Sequence, residues 1–504
     1  MRNWKRFAAV MMAAATMVTG LTACGGNGTA GTSGNGDAAN SGDENKVSDV
    51  EDVAAGTESG SDDGEIGQYT VLTDADGNPY DLGGMDIIIY DWFTADQEDN
   101  EDASAYDEAR EEYLDWIQST YNFTIKQKAM TSWADSPEDF SNYAATGGDE
   151  NYIFCLYQGG ALMSAEANGL LYDLSTLDCL DFSDSKWESS VAQLMTTSDG
   201  KVYGMRAIPH EATAGIYFNK RLLQEAGIDP ESIYELQRNK EWTWDKFEEL
   251  CQQVQKDTDN DGVIDQYAMT NFTSTLYSAA VISNGGQFVG KDENGMYYND
   301  LESDATMEAL NWALDMLDKY EMVYPEDAAW DYTYTAFANG EAVFTCEEAY
   351  RAGDWSGEDG MEDEFGFVCF PMGPRMDHYV NYAKDNVFVI PSCYDEDKAW
   401  KLAFAYNLYT DPVPGYEDYE AWKVDYMKSF CDTESVDETI ATMVDSGVPL
   451  FEKAINGIDM GPDLYWGISK DNTPAQQAEA IRNTWKAYIC LLYTSPSPRD
   501  TERS

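Results

Sequence analysis

A short acidic loop has the spacing of a calcium site. Residues 257–266 read Asp-Thr-Asp-Asn-Asp-Gly-Val-Ile-Asp-Gln, with aspartates at the first, third, fifth and ninth positions and glycine at the sixth. Alternating carboxylates can converge on one ion while the glycine makes the turn. The twelfth position is Ala268, so the bidentate glutamate is absent and a weak, structural Ca²⁺ site is expected; the alternative is a solvated turn. The predicted ligands are Asp257, Asp259, Asp261, Val263, Asp265 and Gln266.

Catalytic chemistry has little support in the sequence. The chain has two histidines, and it contains no GxSxG, HExxH or P-loop motif. Its 93 acidic residues would supply carboxylate pairs anywhere, so such pairs do not indicate glycoside hydrolysis. We therefore predict no catalytic residue and no required cofactor.

The charge of the chain restricts its partners. The 31 basic and 93 acidic residues give a net charge of 31 − 93 = −62. Such a surface repels phosphate backbones, which argues against nucleic-acid binding. The hydrophobic content of 43% and the aromatic content of 13% across 504 residues are enough for a large folded core.

The amino terminus has the pattern of an export signal. Arg2, Lys5 and Arg6 precede an uncharged, mostly apolar stretch over 7–21, which is too short to cross a bilayer. The following Leu-Thr-Ala-Cys24 resembles the bacterial lipoprotein processing box, so we expect cleavage after residue 23 and a lipid on Cys24. Residues 24–66 are rich in Gly, Ser and Asp and are expected to form a disordered tether at the outer face of the cell membrane.

The carboxyl terminus has a foreign pattern. Residues 490–500 read CLLYTSPSPRD, which matches the translation of a sequencing-library adapter. We therefore expect 490–504 to be an artefact outside the native fold.

Between these ends the sequence alternates strand and helix patterns. Apolar runs at 85–90, 123–125 and 152–156 predict buried strands, and a helical stripe over 106–121 separates the first two. The alternation repeats after residue 215, with further strands at 216–218, 365–370 and 387–390. This arrangement predicts an α/β fold with two lobes rather than one large sheet.

Several segments together resemble the extracellular solute-binding proteins of carbohydrate ABC importers, the family that includes maltose-binding protein. They are GLLYDL at 169–174, DGKVYG at 199–204, GIYFNKRLLQEAG at 215–227, WTWDKF at 242–247, AFANGEAVF at 336–344 and KAWKLAF at 398–404. The resemblance implies a type II periplasmic-binding-protein-like fold hinged by crossing strands. It places lobe 1 at 67–209 plus 378–412, and lobe 2 at 210–377 plus 413–489.

A carbohydrate site needs flat aromatic surfaces for the apolar faces of the sugar and polar groups for its hydroxyls. Trp92 and Asp91 lie at the carboxyl end of the first strand, where ligands bind in α/β layers. Trp133 follows the second strand and Gln158 follows the third. The family likeness adds further ligand-binding candidates, for which a solvated rim or a packed loop is the alternative: Glu211, Glu347, Tyr350, Trp355, Asp385, Asn386, Tyr465 and Trp466.

The resemblance implies a monomeric, lipid-anchored receptor outside the cytoplasm. It would capture a carbohydrate, in particular an oligosaccharide, and deliver it to ABC permease subunits. Neutral ligands suit the acidic chain better than anionic ones. Two alternatives stay open: a lipid-anchored glycan-cleaving enzyme, and a binding protein that feeds a sensor kinase.

Overall fold

The computed structural model describes residues 69–94, 103–209, 211–356, 360–383 and 386–494. The signal segment, Cys24, the tether predicted at 24–66 and the ligand candidate Asp385 lie outside the described residues, as do 495–504. Among the helices that the structure describes, none combines the length and hydropathy needed to cross a membrane.

The helices and strands are numbered in chain order. The first part contains β1 (Met85–Asp91), α1 (Ala105–Tyr121), β2 (Phe123–Ala129), α2 (Ser136–Thr146), β3 (Asn151–Leu156), α3 (Gly160–Ala167) and α4 (Ser189–Met195). The second contains β4 (Ala214–Asn219), α5 (Lys220–Glu225), α6 (Glu231–Arg238), α7 (Trp244–Val254), β5 (Tyr267–Met269), α8 (Thr273–Ser283), β6 (Val289–Lys291), β7 (Tyr297–Asn299), α9 (Asp304–Tyr320), α10 (Tyr332–Ala338), β8 (Ala342–Glu348), α11 (Ala352–Ser356), β9 (Phe365–Cys369) and β10 (Asn381–Ala383). The third contains β11 (Val387–Val389), α12 (Glu396–Tyr409), α13 (Ala421–Met427), α14 (Ala441–Val444), β12 (Gly447–Pro449), α15 (Met460–Asp463) and α16 (Pro474–Thr494).

Local chemistry accounts for several of these boundaries. Ser104 caps α1 in a capping box, because its hydroxyl accepts from the Asp107 amide while the Asp107 carboxylate accepts from the Ser104 amide. The helix ends at Asn122, whose φ of 55° lies in the left-handed region that stops a helix. The hydroxyl of Thr243 caps α7 in the same way as that of Ser104.

Two separate four-stranded sheets confirm the predicted two-lobed α/β fold. The lobe 1 sheet has the order β11-β3-β1-β2, in which β11 is antiparallel to β3 and the other pairs are parallel. The lobe 2 sheet has the order β5-β8-β4-β9, in which β4 is antiparallel to both of its neighbours. In lobe 1, Phe140 of α2, Leu162 of α3 and Val191 of α4 are buried in one cluster with Phe154 of β3.

The chain passes from lobe 1 to lobe 2 before β4, at the first crossing, and returns between β10 and β11, at the second crossing. After the predicted boundary at 378, β10 pairs with β12, and Tyr379 and Tyr382 pack in the same cluster as the strands of the lobe 2 sheet. The hydroxyl of Thr213 in the first crossing lies 2.5 Å from both Asn381 Oδ1 and the Tyr382 carbonyl oxygen, so it ties the first crossing to β10. At the other end of lobe 2, α16 continues past the predicted limit at Ile489 to Thr494.

Candidate functional site

The pairing of the strands places the carboxyl end of one strand in each sheet next to a crossing segment. In lobe 1, Val387 directly follows the second crossing and is paired with Leu156, the last residue of β3. In lobe 2, Ala214 follows the first crossing and is paired with Glu348, the last residue of β8. The loops at the carboxyl ends of β3 and β8 therefore both adjoin the crossing. Ligands of open α/β sheets bind outside such strand ends.

The lobe 1 aromatic edge consists of Trp92, Trp133 and Tyr157. The Trp133 ring stacks on Tyr157 with centroids 4.6 Å apart and an interplanar angle of 20°. Trp92 lies edge-on to the same tyrosine, at 6.2 Å and 82°. Trp133 is 37% exposed, so one face of the stacked pair is open to a ligand. Sequence reasoning named both tryptophans but missed Tyr157, although it directly precedes Gln158 at the end of β3.

Gln158 places a buried acceptor beside these rings. The residue is 6% exposed, and its Oε1 is buried with no hydrogen-bond partner among the residues that the structure describes. A buried polar atom without a partner costs free energy, on the order of 1–3 kcal/mol. A hydroxyl donated by a bound ligand would satisfy this oxygen.

Asp91, which was predicted as a ligand-binding residue, has its carboxylate engaged within the protein. Its side chain is fully buried, and its Oδ1 accepts hydrogen bonds from the Phe93 and Thr94 amides, each at 3.1 Å. The Thr94 hydroxyl and Gln127 Nε2 donate to Oδ2 at 2.5 and 2.6 Å. Because four donors already occupy this carboxylate, its role is to shape the loop that carries Trp92.

The lobe 2 aromatic edge consists of Phe272, Trp330, Tyr334 and Tyr350. The Phe272 ring lies 5.8 Å from Trp330 at 72° and 6.3 Å from Tyr334 at 30°. Trp330 and Tyr350 are 47% and 43% exposed. Only Tyr350 was predicted from the sequence. Phe272 follows β5, which runs parallel to β8, so its place at the same edge could have been found once that pairing was known.

Arg351 joins two tyrosines of this edge. Its guanidinium carbon lies 3.8 Å from the centre of the Tyr334 ring and 4.9 Å from that of Tyr350, and its Nη1 donates to Asp354 at 2.7 Å. Burial raises the pKa of Tyr334 and of Tyr350. Both phenols therefore stay protonated at neutral pH and can donate hydrogen bonds.

Three other predicted contact residues are buried. Glu347 is 3% exposed, and its Oε1 accepts from the Thr275 hydroxyl at 3.4 Å and the Glu348 amide at 3.1 Å. Trp355 is 4% exposed and packs edge-on against Tyr217 in the lobe 2 core. Tyr465 is also 4% exposed, and its ring stacks on Tyr277 at 5.7 Å. As placed, these side chains support the edge and the core rather than offering a contact surface.

The remaining candidates lie at or beyond the crossing. Glu211 Oε1 lies 3.0 Å from Arg206 Nη2, so this candidate takes part in an ion pair next to the first crossing. Asn386 is half-buried in the second crossing. Trp466 is 77% exposed on the turn Tyr465–Gly467, and its contact with ligand stays a prediction.

The acidic loop brings together part of the predicted calcium set. Carboxylate oxygens of Asp257, Asp259 and Asp265 lie within 4.8 Å of one another, a donor set that fits a hard cation. Asp261 and Gln266 are engaged elsewhere: Asp261 Oδ1 accepts from the Val263 amide at 2.8 Å, and Gln266 Nε2 donates to the Tyr267 carbonyl oxygen at 3.3 Å. The calcium site itself stays a prediction.

We expect 10 mM CaCl₂ to stabilise the protein by about 1–3 kcal/mol, from an affinity on the order of 10⁻⁴–10⁻³ M. Asp259→Asn should remove most of this gain in a thermal unfolding assay. The matched control is Asp292→Asn, because Asp292 is an exposed turn aspartate that accepts from the Asn294 and Met296 amides outside the loop. An equal calcium response in Asp259→Asn and the wild type would contradict the prediction.

Two lobes joined by crossing segments, with aromatic edges next to the crossing, define a solute-binding protein. Residues 112–413 match the family described as bacterial extracellular solute-binding proteins. The chain belongs to this family, which places it outside the cytoplasm. No curated protein matches the chain.

Solved structures show the same fold at low identity. The cyclic α-maltosyl-1,6-maltose binding protein from Arthrobacter globiformis is 15% identical with a TM-score of 0.54, over 81% of this chain and 99% of that one. A cyclo/maltodextrin-binding protein complexed with maltotetraose is 14% identical with a TM-score of 0.53, over 80% and 97%. UgpB from Mycobacterium tuberculosis, in complex with glycerophosphocholine, is 14% identical with a TM-score of 0.52, over 77% and 96%.

Proposed function

We propose that this solute-binding protein captures a carbohydrate, in particular an oligosaccharide, between its lobes and delivers it intact to an ABC importer. The observation that carries the proposal is the pairing of exposed aromatic rings at both sheet edges with the buried acceptor of Gln158. Aromatic faces suit the C–H faces of sugars, and an unsatisfied acceptor suits a hydroxyl. Two of the structural relatives carry names that state binding of maltose-type saccharides.

The size of the aromatic surface supports a ligand longer than one sugar. In lobe 2 the rings continue from Trp330 through Phe272 to Tyr334, with successive centroids 5.8 and 6.3 Å apart. Lobe 1 adds the stacked pair of Trp133 and Tyr157. Because both lobes offer aromatic rings, a ligand of several sugar units would be able to contact rings of each lobe.

The charge of the chain supports a neutral ligand. With a net charge of −62, the protein repels anions before they reach the site. Neutral oligosaccharides should therefore bind more tightly than uronate-containing ones of the same length.

Isothermal titration calorimetry with a panel of oligosaccharides, uronates and glycerophosphocholine tests the ligand class. We expect saturable binding of neutral oligosaccharides, and mass spectrometry of the recovered ligand should show no shorter product. Release of fragments would favour the glycan-cleaving alternative. Tightest binding of glycerophosphocholine would overturn the carbohydrate assignment.

We further propose that the protein acts as a monomer held at the cell surface by a lipid on Cys24. The Leu-Thr-Ala-Cys24 box that ends the short apolar segment supports anchoring over secretion. Mass spectrometry of the amino-terminal peptide from membranes should show a diacylglyceryl-type mass increase on Cys24. An unmodified peptide beginning elsewhere would contradict the anchor.

A further inference from the structure

A carboxylate at the end of α9 gathers three hydrogen-bond donors. Glu321 directly follows this helix, and its Oε1 accepts from the Asn271 amide at 2.7 Å. Its Oε2 accepts from Asn271 Nδ2 at 2.6 Å, and the Tyr324 hydroxyl donates a short bond to Oε1. The backbone N–H and the side-chain NH₂ of Asn271 and the hydroxyl of Tyr324 thus all donate to the carboxylate of Glu321.

Asn271 links the Glu321 carboxylate to the lobe 2 sheet. Its Oδ1 accepts from the Cys346 amide at 2.8 Å, inside β8. The preceding Thr270 lies 3.0 Å from the Tyr324 hydroxyl and 3.0 Å from the hydroxyl of Thr333 in α10. The segment between β5 and α8 is therefore fixed to α9, β8 and α10 together.

Phe272 is the next residue in the chain. Because its backbone continues directly from Asn271, the position of its ring depends on this network. That ring contacts both Trp330 and Tyr334, and Tyr334 in turn packs against Arg351. A shift of Phe272 would disturb most of the lobe 2 aromatic edge.

We propose that Glu321 is a positioning residue for ligand binding, which acts by holding Phe272 in the lobe 2 aromatic edge. The role rests on the proposed function, since it assumes that this edge contacts the ligand. Glu321 acts through Asn271, to whose backbone and side-chain N–H groups it is hydrogen-bonded.

The chemistry of the site calls for a carboxylate. Burial raises the pKa of Glu321 to about 7, so the group is mostly ionised at pH 8. An ionised carboxylate can accept from all three donors, whereas a glutamine of the same shape has one acceptor oxygen and would point its own N–H groups at a donor. Glu321→Gln therefore weakens the three hydrogen bonds accepted by this side chain while keeping its volume.

The test compares Glu321→Gln, Phe272→Ala and the double variant in the full protein at pH 8. Calorimetry with the tightest-binding neutral oligosaccharide should show that Glu321→Gln lowers affinity by about five- to twentyfold. In the Phe272→Ala background the same change should alter affinity by less than twofold. Hydrogen exchange without ligand should rise in the peptide covering 270–276 and stay unchanged in the strands of the lobe 1 sheet.

Two further variants serve as a control and as a milder form of the same change. Glu248→Gln is the matched control, because Glu248 accepts from Lys319 at 3.0 Å and from the Tyr320 hydroxyl at 3.3 Å at the same end of α9, without contact to Asn271. It should leave affinity within twofold of the wild type. Tyr324→Phe removes only one of the three donors and should give a smaller loss of the same kind, which keeps the test open if Glu321→Gln fails to fold.

The outcomes separate the two proposals. An equal affinity loss in both backgrounds, or unchanged exchange over 270–276, would overturn the positioning role while leaving the receptor function intact. If the wild type binds no saccharide, the carbohydrate function fails. This result differs from one in which the wild type binds and Glu321→Gln has the same affinity, which contradicts only the positioning role. Without saccharide binding by the wild type, the positioning role falls with the carbohydrate function, whatever the exchange data show about the network.

Discussion

Replacing Trp133 with alanine is expected to weaken oligosaccharide binding by about 10- to 100-fold, or about 1.4–2.8 kcal/mol. The ring is 37% exposed and stacks on Tyr157 at 4.6 Å, so its free face offers a flat surface at the carboxyl end of the lobe 1 sheet. Losing it removes both the stacking contact and the support of Tyr157. Titration calorimetry with the same ligand in both variants measures the change.

Trp116→Ala is the control for this prediction. Trp116 is a tryptophan of the same lobe that also stacks on a tyrosine, Tyr113 at 6.2 Å, but it lies on α1 rather than at a strand end. Its removal should lower stability and leave affinity within about twofold. If Trp116→Ala weakens binding as much as Trp133→Ala, the effect of Trp133 reflects folding and not contact.

Replacing Tyr350 with alanine is expected to weaken binding by about tenfold or more. Tyr350 follows β8 at the lobe 2 edge, is 43% exposed and packs on the Arg351 guanidinium at 4.9 Å. Its loss removes an aromatic face and a phenol donor, together worth about 1–3 kcal/mol.

Tyr298→Ala supplies the comparison for Tyr350. Tyr298 is 46% exposed in the hairpin strand β7, away from both aromatic edges. Calorimetry should find its affinity close to that of the wild type. If Tyr350→Ala binds as tightly as Tyr298→Ala, the prediction that Tyr350 of the lobe 2 aromatic edge contacts the ligand is contradicted.

The sequence was sufficient to predict the lobes and part of each edge. Local apolar runs identify β1, β2 and β3, and parallel strands bring their carboxyl ends to one edge, so Trp92 and Trp133 could be assigned there. Tyr157, Phe272, Trp330 and Tyr334 were missed. Their placement depends on ring contacts between residues distant in sequence, such as Trp133 with Tyr157 or Phe272 with Trp330, which no local pattern contains.

For Asp91 and Trp355, the difference between expectation and structure depends on where the side chain turns. Asp91 stands at a strand end as expected, but the loop that follows uses its carboxylate for backbone donors. Trp355 lies on the short helix α11, which turns its ring into the core beside Phe337. The pairing of β10 with β12, more than sixty residues later in the chain, is likewise a long-range contact that no local pattern contains.

Small-angle X-ray scattering of the protein with and without a saturating neutral oligosaccharide tests the central claim most directly. If a saccharide is held between two hinged lobes, the radius of gyration should fall on binding. The Trp133→Ala variant binds more weakly in this account, so it should need a higher ligand concentration for the same fall. Scattering curves that superimpose with every saccharide of the panel at saturating concentration would contradict the account.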